Sequence, residues 1–289
     1  MIPPTFDYLR PKTIPEAITL LQQYGDDAKI LSGGQSLIPM MKLRLARPAY
    51  LIDINRIPGL SYVKEEDGHL KIGGLTREAE LESSPLIRSR YPIILDTAHV
   101  IADPQVRNLA TLAGNLAHGD PANDHPATML ALGAKIVATG PKGDRVIAVE
   151  DFFVSLFTTA LQSDEIVTEI RIPLPQPRSG GAYLKLERKV GDFATAAVAA
   201  QVTLDSGGTC QQAGIGLTNV GPTPIKATKA EGFLRGKKLA EATLRQAAHL
   251  AADAAQPSAD LRGPAEYKKG LVKELAFRAL SRAVERAGK

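Results

Sequence analysis

"ILSGGQSLIP" at residues 30–39 and "ATLAGNLAHGDPAND" at residues 110–124 decide how this chain is read. Each sets glycine beside hydroxyl and amide residues directly after an apolar run. Glycine admits positive φ and lets a ligand approach the main chain, so such a loop can gather several N–H groups around an anion. A single Gly-Gly after a strand is ordinarily a turn. Two such loops favour a ligand, and a pyrophosphate suits two converging nests best, with Ser36 and Thr111 as hydroxyl donors and Asn115 as an amide donor.

Working outward, "TIPEAITLLQQYG" predicts a helix capped by Thr13, with Pro15 in its first turn, an apolar stripe of Ala17, Leu20, Leu21 and Tyr24, and a stop at Gly25. A strand at Ala28–Leu31 then feeds the first loop. Residues 49–57 read as a buried strand, 61–65 and 69–73 as strands, and 76–82 and 92–101 as helices. After the second loop come a packed helix in "ATMLALGA", a hairpin of "KIVATG" and "RVIAVE" across "PKGD", and a strand in "EIVTEIRIP". The proline- and glycine-rich "IPLPQPRSGGA" at 172–182 reads as a linker. It divides an N-terminal α/β part at 1–175 from a C-terminal α+β part at 176–289. The second part predicts three antiparallel strands (182–189, 195–205, 210–219) and helices at 224–234, 240–254 and 264–286.

Composition narrows the chemistry. The chain has 289 residues, 44% of them hydrophobic, and one cysteine. Cys210 alone excludes an internal disulfide or a cysteine-built metal cluster within this chain, so redox chemistry would need an organic cofactor or another subunit. No run approaches the roughly 20 apolar residues of a membrane span, and Met1 leads directly to Pro3 and Pro4 without a signal-peptide pattern, which predicts a cytoplasmic protein. Net charge is +4, but Lys and Arg are scattered, Trp is absent and aromatics are 5%, arguing against a base-stacking surface. There is no P-loop, and "GIGLTN" at 214–219 lacks the last glycine of a dinucleotide fingerprint. "GGQSLI" lacks the final glycine of a nucleophile elbow. "HGDPANDH" at 118–125 has no regular metal-ligand spacing and reads as a polar loop beside the ligand.

Taken in order, "FDYLRPKTIPEAITLL", both glycine loops, "LKLERKVGDFATAA", "GIGLTNVGPTPIKA" and "DLRGPAEYKKGLV" resemble the FAD-binding medium subunits of molybdenum hydroxylases, most of all the aerobic carbon monoxide dehydrogenase branch. The likeness spans essentially the whole chain. It implies an α+β protein with a two-subdomain FAD-binding domain of the PCMH type, its subdomains at about 1–56 and 57–175, and a C-terminal three-stranded antiparallel sheet with helices. It further implies that Lys29, Ile30, Leu31, Ser32, Gly33, Gly34, Gln35, Ser36 and Leu37, with Thr111, Leu112, Ala113, Gly114 and Asn115, hold the FAD pyrophosphate. Asp124 matches an aspartate near the ribose and adenine side, and it also suits a helix N-cap; its neighbour His125 is commonly apolar in the family. Lys185 matches a basic residue close to the flavin, Val167 a flanking apolar residue, and Asp192 a residue steadying the loop of Phe193. Phe193 stands where carbon monoxide dehydrogenase relatives place a tyrosine over the ring. Two departures follow: Ala113 replaces the middle glycine of T-I-G-G-N, and Gln35 replaces a histidine common in the first loop.

The resemblance implies an electron-transfer subunit with no catalytic side chain of its own. Electrons would come from two [2Fe–2S] clusters on a small iron–sulfur subunit, supplied by a molybdenum cofactor on a large subunit, in a dimer of heterotrimers, a heterohexamer. They would pass through FAD to quinone, NAD or oxygen, in the cytoplasm or at the inner face of the membrane through partners. Lys268, Lys269, Lys273, Arg278, Arg282 and Arg286 on the last helix form either a partner-facing or a solvated basic face. A free-standing FAD-dependent oxidoreductase and a non-flavin nucleotide-binding assembly module remain as alternatives.

Overall fold

The computed structural model describes residues 1–288; Lys289, the last residue of the expected C-terminal domain, lies outside the described residues. The chain opens with β1 (Asp7–Leu9), α1 (Ile14–Tyr24), β2 (Ala28–Leu31), α2 (Leu37–Lys42) and β3 (Tyr50–Asp53), the strands forming a parallel sheet in the order β1-β3-β2. Thr13 Oγ1 accepts the Glu16 N–H at 3.3 Å, Pro15 occupies the first turn, and Gly25 ends α1 at φ 52°. The third strand is shorter than its apolar run because Asp53 Oδ1 accepts the Asn55 N–H at 2.9 Å and turns the chain.

The second unit holds β4 (Val63–Glu66), β5 (His69–Gly73), α3 (Glu78–Ser83), α4 (Pro85–Arg90), α5 (Pro92–His99), α6 (Pro104–Arg107), α7 (Leu112–His118) and α8 (His125–Leu132). It continues through β6 (Lys135–Gly140), β7 (Gly143–Ala148), α9 (Val149–Phe152), β8 (Phe153–Ser155), β9 (Thr158–Thr159) and β10 (Ile166–Pro173). Its antiparallel sheet has the order β4-β5-β10-β6-β7, with a register shift in β10 between Val167 and Glu169.

The C-terminal unit comprises β11 (Ser179–Leu186), β12 (Ala196–Leu204), β13 (Cys210–Thr218), β14 (Ile225–Lys226), α10 (Thr228–Leu234), α11 (Glu241–Ala254) and α12 (Ala265–Ala287). The expected three-stranded sheet is four-stranded, in the order β11-β12-β13-β14. The extra strand has two residues, pairing Ile225 with Leu217 and Lys226 with Gly216, and it delays the helix expected from 224. Two residues show no alternation, so periodicity cannot register them.

The linker is also shorter than its composition implied, because Gly180 and Gly181 lie inside β11. A Cβ on Gly180 would stand 2.2 Å from the Ala283 carbonyl oxygen and 2.4 Å from the Ala287 nitrogen. Gly180 serves close packing of α12, whereas a Cβ on Gly181 would stand 2.0 Å from Gln201 Oε1. Gly180→Ala is expected to cost about 1–3 kcal/mol, as overpacking does, read as a lowered midpoint of chemical unfolding.

The two domains share buried surface. Ala196, Val198, Ala200 and Val202 on one face of β12 pack with α11 and α12, whereas Ala197 and Ala199 on the other join the N-terminal core. Burial on both faces explains the unbroken apolar run "AAVAA" at 196–200. Helix α8, buried from His125 to Ala131, is the layer between them. Gly214 and Gly216 admit it, for a Cβ there would stand 1.9 Å from the Ala131 oxygen and 2.0 Å from the Ala127 oxygen. Asp96 on α5 bolts the units together, accepting Arg286 at 2.6 and 3.0 Å and the Tyr183 N–H at 3.3 Å.

Candidate functional site

The two glycine loops, 78 residues apart between Gly33 and Thr111 by numbering, meet in one cleft of about 560 Å³. Ser32 Oγ and Thr111 Oγ1 are hydrogen-bonded at 3.0 Å. A Cβ on Gly33 would fall 2.5 Å from the Leu109 oxygen and 2.8 Å from the Ala110 Cα, so the first loop lies on the backbone leading into the second. Gly34 has φ 74°, within the left-handed region. Among the described residues, the backbone N–H groups of Gly33, Gly34, Gln35 and Ser36 donate to no protein acceptor.

The junction is braced by residues the sequence reading did not single out. Asn55 Nδ2 donates to the Ser32 oxygen at 2.8 Å, and Arg77 donates to Asn55 Oδ1 at 2.6 Å and to the Leu109 oxygen. Arg77 also forms a lone β-bridge with Thr111. Thr111 Oγ1 accepts the Gly114 N–H at 3.1 Å, capping α7. Ala113 lies inside this helix, away from positive φ, so the methyl that replaces the family's middle glycine fits without backbone strain. Gln35 folds back on its own loop, donating to the Gly33 oxygen at 3.1 Å.

Every other expected residue of the first loop also lines the cleft except Leu31; in the second, Leu112 is turned into the core. Asp124, Val167, Lys185, Asp192 and Phe193 complete the lining. The β10 bulge and Gly74, whose Cβ would stand 2.5 Å from the Val167 oxygen, bring Val167 to the edge.

Asp124 does not cap α8 with its side chain. Its carboxylate accepts the Tyr183 hydroxyl at 2.5 Å and the Lys185 ammonium at 3.1 Å. Lys185 is not a solvated strand lysine: its side chain is 2% exposed and also donates to the Val100 oxygen at 3.0 Å. Burial pushes the Asp124 carboxyl up, and Lys185 and Tyr183 pull it partly back. Asp124 and Lys185 thus enter the cleft wall as one buried ion pair.

Asp192 steadies the neighbouring loop. It accepts the Phe193 N–H at 2.8 Å, Arg262 at 3.1 Å and Arg188 at 3.2 Å. Burial pushes its carboxyl up, but these donors hold it below its ordinary value. Phe193 stays 48% exposed at the cleft. Gly191, at φ 81°, comes so near the Ala102 oxygen that a Cβ would stand 2.6 Å away.

The polar stretch 118–125 scatters its side chains. His118 lies against Phe157 with ring centroids 5.2 Å apart, Asp120 caps the Ala122 N–H, Asn123 binds the Asn115 oxygen, and His125 pairs with Glu78 at 2.7 Å. Among the described residues no three His, Cys, Asp or Glu side chains group to hold a metal ion, and no helix is long and apolar enough to cross a membrane.

The residues present fit a dinucleotide. Open N–H groups and positive φ suit a pyrophosphate, and Asn115 Oδ1, buried without a partner on the cleft wall, is an acceptor suited to a hydroxyl or amino donor of a nucleotide. The likeness to known proteins follows the same lines. Residues 4–175 match the FAD binding domain in molybdopterin dehydrogenase, and 181–283 the CO dehydrogenase flavoprotein C-terminal domain. The chain is 46% identical to the carbon monoxide dehydrogenase medium chain of Hydrogenophaga pseudoflava, covering 98% of each. It is 38% identical to the 6-hydroxypseudooxynicotine dehydrogenase complex subunit alpha of Paenarthrobacter nicotinovorans, covering 99% of this chain and 97% of that one. A solved carbon monoxide dehydrogenase from Hydrogenophaga pseudoflava, lacking the Mo-pyranopterin moiety of its molybdenum cofactor, matches with a TM-score of 0.96 at 47% identity over 99% of each chain. This chain therefore belongs to the family of FAD-binding medium subunits of molybdenum hydroxylases, and is one subunit of an oxidoreductase.

Proposed function

We propose that this chain binds FAD in the cleft between its glycine loops and relays electrons from [2Fe–2S] clusters of a small partner subunit to an external acceptor. In this reading a large subunit carrying the molybdenum cofactor oxidises the substrate, and the three assemble as a dimer of heterotrimers in the cytoplasm. The observation that carries it is the junction of the loops, where four adjacent N–H groups lie unused and Gly33 rests on the backbone leading into the second loop. Residues 1–175 form the FAD-binding domain, and 176–289 complete its site through Lys185, Asp192 and Phe193.

When bound, FAD supplies the redox chemistry, and the protein supplies binding, orientation and electrostatics. The first loop and Asn115 hold the pyrophosphate, and Ser32 and Thr111 lock the two loops at a fixed separation. Asp124 and Lys185 place a buried charge pair beside the cofactor. Phe193 offers an aromatic face at the exposed end, where it stacks on the ring. The higher identity to the carbon monoxide dehydrogenase medium chain than to the 6-hydroxypseudooxynicotine enzyme favours carbon monoxide as the substrate of the large subunit. Gln35, standing where that branch commonly has a histidine, weighs against that substrate.

Of the six basic residues on α12, Lys268 is buried against Asp260, Arg286 binds Asp96 and Arg278 binds Glu274. Any basic contact with a partner thus falls to Lys269, Lys273 and Arg282.

The test is to isolate the chain with its native partners, identify bound flavin by spectrum and extraction, and measure molybdenum and iron. One FAD per chain with both metals supports the relay. FAD without metals supports a free-standing oxidoreductase, and absence of flavin returns the cleft to another anion. Within the complex, Phe193→Ala is expected to shift the flavin reduction potential or oxygen reactivity while changing FAD affinity by no more than about tenfold, since stacking contributes only about 0.5–1.5 kcal/mol. An unaltered reduction profile would remove Phe193 from the site.

A further inference from the structure

Strand β11 presents Tyr183 and Lys185 on one face, because alternate residues of a strand point the same way. Leu184 between them packs on the C-terminal core instead. Both polar side chains reach from the C-terminal domain to one N-terminal carboxylate: the Tyr183 hydroxyl to Asp124 Oδ1 at 2.5 Å and the Lys185 ammonium to Oδ2 at 3.1 Å. The same ammonium lies 3.3 Å from Glu187 Oε2, and Glu187 Oε1 accepts the Gly191 N–H at 3.3 Å. One cation thus serves two carboxylates, with side-chain exposures of 2% for Lys185, 8% for Asp124 and 20% for Glu187.

Sharing has a physical limit. If the ammonium alone held Asp124, it would be drawn fully onto the more deeply buried carboxylate, and Glu187 would lose its counterion. A neutral donor on Asp124 relieves this without adding charge. The Tyr183 ring is 2% exposed and packed in the N-terminal core, so its hydroxyl is delivered by a rigid side chain. Glu187 in turn holds Gly191, two residues before Phe193.

We infer that Tyr183 is a positioning residue of the FAD site: its hydroxyl fixes the Asp124 carboxylate across the domain boundary and leaves the Lys185 ammonium free to bridge to Glu187 and the Phe193 loop. This deepens the FAD reading and rests on it.

The experiment uses the assembled complex. Tyr183→Phe keeps the buried ring and removes only the hydroxyl. Loss of a hydrogen bond to a charged group is expected to weaken FAD retention on the order of tenfold, with a shift in flavin reduction potential. Asp124→Asn also weakens retention. Adding Tyr183→Phe to Asp124→Asn is expected to change retention by less than about twofold and leave the potential where Asp124→Asn put it, since coupled residues are not additive. Unchanged retention and potential in Tyr183→Phe, or effects that multiply in the double variant, overturn the inference. If Tyr183→Phe fails to assemble, recovery of assembly in the double variant supports action through Asp124, and continued failure overturns it. A wild-type complex without FAD removes the underlying reading, whereas normal wild-type FAD with an unaffected Tyr183→Phe removes only this inference.

Discussion

Gly33→Ala is expected to abolish FAD retention by the assembled complex, a loss of at least about a hundredfold, whereas Gly34→Ala is expected to lose on the order of tenfold. The added Cβ at Gly33 meets the Leu109 oxygen at 2.5 Å and the Ala110 Cα at 2.8 Å. Both are backbone atoms, so the loops must separate, and the N–H groups no longer converge with Asn115. At Gly34 the nearest atoms are side-chain carbons, Ile38 Cδ1 at 2.8 Å and Leu31 Cδ1 at 3.0 Å, which can turn aside. What remains is the left-handed φ of 74°, a strain of about 1–2 kcal/mol for a residue with a Cβ. From the sequence the two glycines were equivalent. The structure separates them, and it adds that Gly33→Ala should lower stability by about 1–3 kcal/mol through overpacking. FAD extracted per chain and the dissociation constant decide the ranking; wild-type retention in Gly33→Ala would sink the pyrophosphate assignment.

Lys185→Met is expected to cost on the order of 3–5 kcal/mol at neutral pH, the usual penalty for stripping a buried charge of its partner. Burial is the largest influence on Asp124 and raises its carboxyl above the ordinary 3.8, with Lys185 the chief offset. Without the ammonium the folded-state value rises further. A carboxyl that titrates higher folded than unfolded binds more protons in the folded state between the two values. Stability therefore falls as pH rises through that window and returns as pH falls through it. The Lys185→Met deficit should accordingly be greatest near pH 7 and shrink on acidification. Asp124→Asn in the same chain should recover most of it by removing the unpaired charge. Denaturant titrations at several pH values test this: a deficit independent of pH and untouched by Asp124→Asn would mean that the lysine stem matters only as packing.

Local rules made much of this legible. Thr13, Pro15 and Gly25 bound the first helix where capping chemistry places them, and the β6–β7 hairpin closes across Pro141 and Lys142 as its turn residues imply. The loops were visible because glycine among hydroxyl and amide residues has a local cause. The residues that brace them were not. Asn55, Arg77 and Tyr183 belong to segments that read as a buried strand, a helix start and a strand, and nothing in their neighbours shows which distant oxygen each will meet. The linker glycines misled for a related reason: Gly180 answers to a helix that follows a hundred residues later, at 265–287, and Gly181 to Gln201 and Ile93.

The amino-acid order by itself determined most of the longer elements, the two glycine loops, the family and the absence of a cysteine-built centre from this chain, because each depends on residue type and near spacing. Tertiary structure alone decided that the loops touch through Ser32, Thr111 and Gly33, that α8 is shared between the domains, and that Asp124 is gripped from β11. These are contacts between residues some 60 to 80 positions apart. Their partners are selected by burial and by the need to satisfy polar groups removed from water, which no local stretch can express.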